Sequence, residues 1–292
     1  MKMKRIYVVG SINSDLVITA PYMPEQGETI TGSGFFTAHG GKGANQATAA
    51  ARLGGKVVMC GAVGDDGFGN DYIESLKNDG IDVSFVKKIK DVPTGTAVIV
   101  VTNGDNRIIV DRGANDCLLP EDAKKALSAA VSGDILLLQL EIPLETVKAA
   151  LEAAKAKGMT VILNPAPANR EAAEFFPSCD VVVPNETETE IFGGRETILK
   201  KTGGILIITL GADGFEISKK EKSRRHGGHR IKAVDTTAAG DTFCGALAAR
   251  LAAGESLDDA TEFANRAAAI ACTKMGAQPS VPTYDEVINY KF

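Results

Sequence analysis

Short, continuously apolar runs along the chain alternate with longer stretches in which apolar positions recur every three or four residues. Residues 6–9 (Ile-Tyr-Val-Val) form the first such run and end at Gly10, which predicts a short buried strand. From 11 to 36 the alternation is loose (Leu16, Ile18, then Ile30), and Gly and Pro recur. That pattern predicts short exposed strands rather than helix. Residues 42–53 are Ala-rich and predict a helix. A strand follows at 57–60, then a helix at 68–78 closed by Gly80. Strand-like runs at 96–101 and 107–111 flank Asn103-Gly104-Asp105-Asn106, a hairpin signal. Pro120 stands at the front of a helical pattern over 121–130, where a first-turn proline is tolerated.

The second half alternates more cleanly. Strands are predicted at 135–138, 161–163, 181–183 and 205–210. Helices are predicted at 144–157, near 170–176 and from Glu186. Continuously apolar strands that alternate with helices imply a mostly parallel sheet covered on both faces. The hairpin signals gather at 12–39 and 94–112, which points to a small β layer beside this α/β body. The charged stretch Lys219 to Arg230 (KKEKSRRHGGHR) predicts a solvated loop or edge hairpin. A strand-like run is expected to end at Asp235, followed by Ala-rich helices over 240–253 and 257–275.

Composition narrows the class. The chain has 292 residues and a net charge of −5, with 44% hydrophobic and 24% charged positions. These are ordinary globular values, which exclude disordered, collagenous and coiled-coil classes. The acidic balance argues against a nucleic-acid partner. Five scattered cysteines (Cys60, Cys117, Cys179, Cys244, Cys272) include no CxxC pair, which fits reduced, mostly buried thiols in a cytoplasmic protein. No apolar run approaches the roughly 18 residues of a membrane span, so no membrane partner is expected. The basic start, residues 1–5, is followed by an apolar stretch broken at Asn13 and Asp15, too short for a signal peptide.

Four segments carry chemistry. The densest is Val234-Asp-Thr-Thr-Ala-Ala-Gly-Asp-Thr-Phe243, where small residues open a helix at about Gly240. Exposed backbone N–H groups and the helix dipole would make an anion site there. Asp241 beside that turn is either a helix cap or a general base that takes a proton from an attacking hydroxyl. The second is Gly40-Gly41-Lys42-Gly43-Ala44-Asn45-Gln46-Ala47. Gly-Gly permits close backbone approach to a ligand, and Lys42 and Asn45 add donors. It is neither a Walker A loop nor a dinucleotide fingerprint. A Gly-rich helix start without ligand is the alternative. The third is Pro184-Asn185-Glu186-Thr187-Glu188, where Asn185 and Glu188 can face one point. Such oxygen groups suit Mg²⁺ through water, and a capping arrangement fits them equally well. The fourth, Thr209 to Gly214, is a strand-end turn at the sheet edge where ligands bind in open α/β sheets.

Together these motifs resemble the ribokinase-like carbohydrate kinases. The two signatures are Gly40 to Asn45 near the start and Asp235 to Asp241 near the end, and the likeness runs from Val8 to Pro282. Asn164-Pro165-Ala166-Pro167 and Gly276-Ala277-Gln278-Pro279-Ser280 extend it. The resemblance implies a single domain over 1–292. Its three-layer α/β/α body would have a mostly parallel central sheet, and a small β-sheet lid would come from roughly 12–39 and 94–112. It implies ATP-dependent phosphorylation of the 5-hydroxyl of D-ribose. Asp241 would be the base, with an anion hole at Ala238, Ala239 and Gly240. Asn13, Asp15, Gly41, Lys42, Asn45 and Glu141 would hold the sugar. Asn185, Thr209, Gly211, Ala212, Asp213, Gly214, Gly240 and Asn265 would lie near ATP, with Asn185 and Glu188 in the Mg²⁺ region. Asp235, Thr237, Ala271, Lys274, Gly276 and Ser280 would form a site for a monovalent cation, K⁺, as activator. A homodimer through the lid is expected. A sugar site needs such polar residues because each buried unpaired hydroxyl or amide costs about 1–3 kcal/mol.

The basic stretch 219–230 and a short loop before Asp235 depart from the family pattern near the expected adenine position, which leaves the nucleotide preference open. Arg107, Asp111 and Arg112 place charge in the lid strands. Kinases for deoxyribose, fructose, a keto-deoxy sugar acid or a nucleoside remain alternatives. So does a non-catalytic sensor, against which the intact Asp241 motif argues. An NAD-dependent dehydrogenase is disfavoured because GxGxxG is absent after Val9. The remaining candidates have structural readings. His226 and His229 read as loop histidines, His39 as packing or substrate contact, Cys244 as a packed thiol, and Asp65-Asp66 as turn chemistry.

Overall fold

The computed structural model describes residues 3–103, 105–220 and 222–292. The chain opens with β1 (Arg5–Val9), β2 (Asn13–Thr19), β3 (Ser33–Gly40) and α1 (Lys42–Arg52). It continues through β4 (Lys56–Gly64), α2 (Gly67–Asn78), β5 (Asp82–Ile89), β6 (Gly95–Thr102), β7 (Asp105–Asp111) and α3 (Pro120–Ala126). The middle third contains β8 (Ile135–Leu138), α4 (Leu144–Lys157), β9 (Thr160–Leu163), β10 (Val181–Val182), α5 (Glu186–Ile191) and α6 (Arg195–Lys201). The last third contains β11 (Ile205–Thr209), β12 (Phe215–Lys219), β13 (Lys222–His226), α7 (Ala239–Ala253), α8 (Leu257–Ala271) and α9 (Tyr284–Asn289).

Among the described residues the larger sheet runs β13-β12-β11-β10-β9-β8-β1-β4-β5. From β11 through β5 neighbouring strands are parallel, and β12 and β13 close one edge as an antiparallel hairpin. The apolar strands bury both faces. Ile6 and Val8 of β1 pack towards α1, α7 and α8, whereas Tyr7 and Val9 pack towards α3 and α4. This is the expected three-layer body. A separate sheet, β3-β2-β6-β7, stands beside it.

Alternation from either side of β1 creates the crevice. The chain leaves β1 for β4 on one side and returns to β8 on the other, so the connections diverge at their carboxyl ends. Ligand sites in open α/β sheets form at such a switch point. Here the crevice is lined by residues just beyond β1, β8, β9, β10 and β11.

Helix packing above the sheet is unusually close where α1 crosses α7. A Cβ on Gly245 would lie 2.5 Å from the Gln46 carbonyl oxygen and 2.8 Å from the Ala50 nitrogen. A Cβ on Gly43 would lie 2.5 Å from the Ser11 nitrogen. These two glycines let the backbones meet.

Several expectations need correction. Residues 227–235 carry no strand before the Asp235 motif; Val234 N donates instead to Cys272 O (2.8 Å). The polar, Gly-containing 227–230 stretch has no strand to pair with beyond the sheet edge. The helix expected near 170–176 is two 3₁₀ turns, Arg170–Glu174 and Phe176–Ser178, because Pro177 interrupts it. The last long helix ends at Ala271 rather than 275, where Gly276 turns with φ 84°. Strand β5 was not expected, since lysines at 87 and 88 break its apolar pattern. Gly104 of the hairpin signal and Glu221 of the basic stretch, with Met1 and Lys2, lie outside the described residues. No helix among the described residues is long and apolar enough to cross a membrane.

The α1–α7 crossing yields a test. Gly245→Ala is expected to lower stability by about 1–3 kcal/mol through overpacking against backbone. Gly67→Ala, at an open helix start with nothing within 4 Å of a Cβ, is expected to be neutral or stabilising by about 0.5–1 kcal/mol. Urea unfolding of both variants measures the difference, and equal effects would contradict the close-packing account.

Candidate functional site

A cavity of about 170 Å³ lies at the carboxyl edge of the sheet, against the start of α7. Its wall includes Lys42, Asn164, Asn185, Glu188, Thr209 and the Ala238–Asp241 turn. A larger cavity of about 520 Å³ lies behind β3, next to α2 and the 275–279 loop. Its His39 and Arg52 are already paired with Asp71 and Asp79, at 2.9 and 2.8 Å, and it contains none of the crevice's convergent acidic groups. The chemistry therefore belongs to the smaller cavity.

The turn that opens α7 is held in an uncommon shape. Ala238 is left-handed, with φ 58° and ψ 13°, and no side chain caps the helix. That backbone costs an alanine about 1–2 kcal/mol. It is braced by Thr242 N donating to Ala238 O (2.8 Å). The first N–H groups of a helix lack intrahelical acceptors and sit at the positive end of its dipole. Space beside Gly240 is open, with nothing within 4 Å of a Cβ there. The turn is thus shaped for an anion.

Asp241 follows in the first turn of α7 and is 7% exposed. It does not cap its own helix. Asn45 Nδ2 donates to its Oδ2 (3.0 Å) and Gln46 Nε2 to its Oδ1 (2.9 Å), both from α1. The carboxylate is aimed across the crevice, which decides against the capping alternative.

On the other side of α1, acceptors gather. Glu141 Oε2 accepts from Ser11 Oγ (2.6 Å) and Lys42 N (3.0 Å). Asp15 lies over Gly40, where a Cβ would meet its carboxylate oxygens at 2.3 Å. Asn13 Oδ1 accepts from Asn115 Nδ2 (2.7 Å). Burial, with added repulsion from Glu141 and Asp241, pushes the Asp15 carboxyl up to about 7. The Asp241 charge, against the cost of burial and helped by Glu141 and Glu188, holds Lys42 above the usual lysine range. One ammonium facing several carboxylates leaves a surplus of acceptors. A ligand rich in hydroxyl donors would satisfy it.

Asn185 and Glu188 form a capping box at α5. Asn185 Oδ1 accepts from Glu188 N (2.7 Å), and Glu188 Oε2 accepts from Asn185 N (2.9 Å). The capping alternative therefore holds. Glu188 still keeps its second oxygen, and burial raises its carboxyl above the usual range. No cluster of three or more His, Cys, Asp or Glu able to hold a metal occurs among the described residues. A divalent ion here would depend on phosphate and water oxygens, with Glu188 as a single protein carboxylate.

Thr209 reaches the cavity wall, whereas Gly211–Asp213 form a 3₁₀ turn, closed by Gly214, outside that wall. Asp213 is paired with Arg225 (3.0 Å), so part of the basic stretch neutralises this turn. Asn265 Nδ2 donates to Gly227 O (3.0 Å) and so joins α8 to the loop packed on Ala212 and Gly214.

Asp235 joins two loops. Its Oδ1 accepts from Thr237 N (2.9 Å) and Thr237 Oγ1 (2.6 Å), and its Oδ2 accepts from Gly276 N (2.9 Å). Burial opposes its charge, but these bonds hold the carboxyl below the usual range. Lys274 turns outward to Glu286 (2.8 Å), and Ser280 Oγ donates to Ala277 O (2.7 Å). The side chain of Lys274 is thus not part of a cation site, and only backbone carbonyls of that loop would be.

The remaining candidates are structural. His226 stacks on Phe215, and His229 pairs with Glu262 (3.0 Å) and stacks on Phe292, so HxxH does not converge on a metal. His39 packs on Tyr72. Asp66 caps α2. The Cys244 thiol is driven well above its ordinary range, first by burial and then by Asp241, and stays protonated. Ser11, Asn115 and Gln139 also support the site, and no local pattern marks them, since they are isolated polar residues after strands or in a 3₁₀ turn.

Residues 3–284 match the sequence profile of the pfkB family carbohydrate kinases. The chain belongs to this family. It is 41% identical over 300 residues to a ribokinase of Haemophilus influenzae, covering 98% of each chain. It is 37% identical to a deoxyribokinase of Salmonella typhi, again covering 98% of both. The solved structure of Arabidopsis thaliana ribokinase complexed with ribose and ATP superposes with a TM-score of 0.87, at 31% identity and 98% coverage of both chains. As a member of this family the protein is an ATP-dependent carbohydrate kinase.

The raised Asp15 carboxyl sets a pH dependence. Between about pH 4 and 7 the folded chain keeps a proton that the unfolded chain has lost. Stability from this group therefore falls as pH rises across that window and levels off above it. Asp15→Asn is expected to be more stable than the parent at pH 8, on the order of 1–3 kcal/mol, with the gap closing towards pH 4. Urea unfolding at pH 4, 6 and 8 measures it, and a gap independent of pH would contradict the assignment.

Proposed function

We propose that the protein transfers the γ-phosphoryl group of ATP to the 5-hydroxyl of D-ribose, giving ribose 5-phosphate and ADP. The observation that carries this reading is Asp241. It is a buried carboxylate directed away from its own helix and set beside the anion-shaped turn of Ala238, Ala239 and Gly240. Asn13, Asp15, Gly41, Lys42, Asn45 and Glu141 hold the sugar, and the carboxylate and amide oxygens among them accept hydrogen bonds from its hydroxyls. The likeness to ribokinases over nearly the whole chain supports the choice of sugar. The deoxyribokinase likeness keeps deoxyribose as the second candidate.

Asp241 accepts the proton of the 5-hydroxyl as its oxygen attacks the γ-phosphorus. The bond from that phosphorus to the β,γ-bridging oxygen breaks, and ADP leaves. N–H groups at the start of α7 face the charge that builds on the transferred group, and preorganised donors of this kind lower the barrier. Asn185, Thr209, Gly211 to Gly214 and Asn265 flank the nucleotide. Glu188 and Asn185 would lie nearest a Mg²⁺ carried by ATP, which would supply neutralisation of phosphate charge. The Asp235–Thr237 and Ala271–Ser280 loops would hold K⁺ through backbone carbonyls, and its charge would steady the anion-hole turn. Such chemistry belongs in the cytoplasm, where ATP is held and thiols stay reduced.

We read the chain as one domain whose sheet β3-β2-β6-β7 closes over the sugar and excludes water. This sheet also carries the homodimer contact. Phe35, Phe36, Ile108, Ile109 and Val110 are exposed on it, and Ile109 is 72% exposed. Isolated apolar side chains are normal on surfaces, but the register sets Leu16, Val98 and Ile109 side by side, and a contiguous apolar row marks an interface. Light scattering on the wild type should give twice 30.6 kDa, and Ile109→Asp should give the monomer mass. A monomeric wild type would contradict the contact.

The function is tested by ADP release with a panel of D-ribose, deoxyribose, fructose and nucleosides, with and without K⁺. Ribose is expected to be turned over best, with stimulation by K⁺. Asp241→Asn is expected to lower kcat by about 10²–10⁴-fold while ATP binding persists. Turnover that ignores ribose but uses another alcohol would replace the substrate. Full activity of Asp241→Asn would remove the base.

A further inference from the structure

The two donors on Asp241 differ in what stands behind them. Gln46 is fully buried on α1 and its Nε2 donates both to Asp241 Oδ1 (2.9 Å) and to Asn164 Oδ1 (3.0 Å). Both partners are acceptors, so the amide must present its NH₂ to them. Its Oε1 then needs a donor, and Gln139 Nε2 supplies one (2.6 Å). Gln139 is 1% exposed and stands just beyond β8. Gly10 makes room for it, since a Cβ there would lie 2.2 Å from Gln139 Oε1. Asn164, just beyond β9, is fixed in turn by its Nδ2 donating to Val183 O (2.8 Å). Two strand ends thus converge on one amide, and that amide points at one carboxylate oxygen.

An unsupported glutamine amide can rotate end for end. Reversed, Gln46 would turn its carbonyl oxygen towards the Asp241 carboxylate and repel it. We propose that Gln139 is a positioning residue for phosphoryl transfer. By donating to Gln46 Oε1 it locks the Gln46 amide with NH₂ towards Asp241, which keeps the base aligned with the sugar hydroxyl. Gln139 reaches the base only through Gln46, so its effect falls on the chemical step and not on sugar binding. Misplacement of a reacting group by an ångström can cost about 10²-fold in rate. This inference rests on the reading of Asp241 as the base.

The test uses methionine, which matches glutamine in length but carries no amide. Gln139→Met is expected to lower kcat about tenfold or more and to leave KM for ribose within about threefold. Gln46→Met is expected to lower kcat further. The double variant should be no slower than Gln46→Met, because Gln139 has nothing left to orient. In an Asp241→Asn background, Gln139→Met should cause no further loss. Circular dichroism and thermal melts establish that each variant folds. If Gln46→Met does not fold, Gln46→Glu replaces it: a carboxylate facing Asp241 should depress kcat, again with no added loss from Gln139→Met. Unchanged kcat in Gln139→Met, a loss confined to KM, or multiplicative losses in the double variant would overturn the proposal. If Asp241→Asn itself keeps full activity, the base assignment fails, and that result is separable from the others.

Discussion

The hydrogen bonds from Asn45 and Gln46 to Asp241 are the contact on which the rest of this structure depends. They join residues 196 and 195 positions apart in the chain, and they exist only because α1 and α7 cross at backbone distance. Gly245 permits that crossing, and Gly43 seats the start of α1 on the turn after β1. A buried carboxylate without such donors would be costly. With them, its direction is fixed towards the crevice. Packing and chemistry therefore share one set of residues, and a methyl group added at Gly245 would disturb both.

Around that contact the electrostatics are deliberately unbalanced. Asp15, Glu141, Glu188 and Asp241 face a single ammonium, Lys42. Burial first, and then this surplus, raises Asp15 to about 7. On the proposed reading, a sugar would bring hydroxyl donors to the acidic side, and a nucleotide would bring phosphate charge to the uncapped start of α7. The two ligands would then answer opposite deficits. The parallel sheet places both deficits at one edge because β1 and β8 send their connections in opposite directions.

Much of the α/β body was legible from apolar runs, since parallel strands buried on both faces leave continuous signals such as Ile135 to Leu138. Strand β5 was not, because its lysines at 87 and 88 break the pattern. The strand expected before Asp235 is absent for a tertiary reason: that segment is held by Cys272 and Gly276 rather than by a neighbouring strand. The anion-shaped turn was legible as small residues at a helix start. Taken locally, Asp241 reads as a helix cap before it reads as a base, and only its partners on α1 exclude the cap. Asn185 and Glu188 do cap α5, and this leaves one Glu188 oxygen over. Gln139 carried no signal at all, because a lone glutamine after a strand acquires meaning only when Gln46 stands opposite.

The central claim is that the acceptor-rich side of the crevice presents a sugar hydroxyl to Asp241 while the start of α7 holds the transferring phosphoryl group. A crystal structure with ribose, Mg·ADP and aluminium fluoride tests it most directly. The account predicts the 5-hydroxyl within hydrogen-bond distance of an Asp241 oxygen, and the fluoride plane against the N–H groups of Ala239 and Gly240. A sugar seated with a different hydroxyl towards Asp241, or a fluoride plane away from the α7 turn, would contradict it.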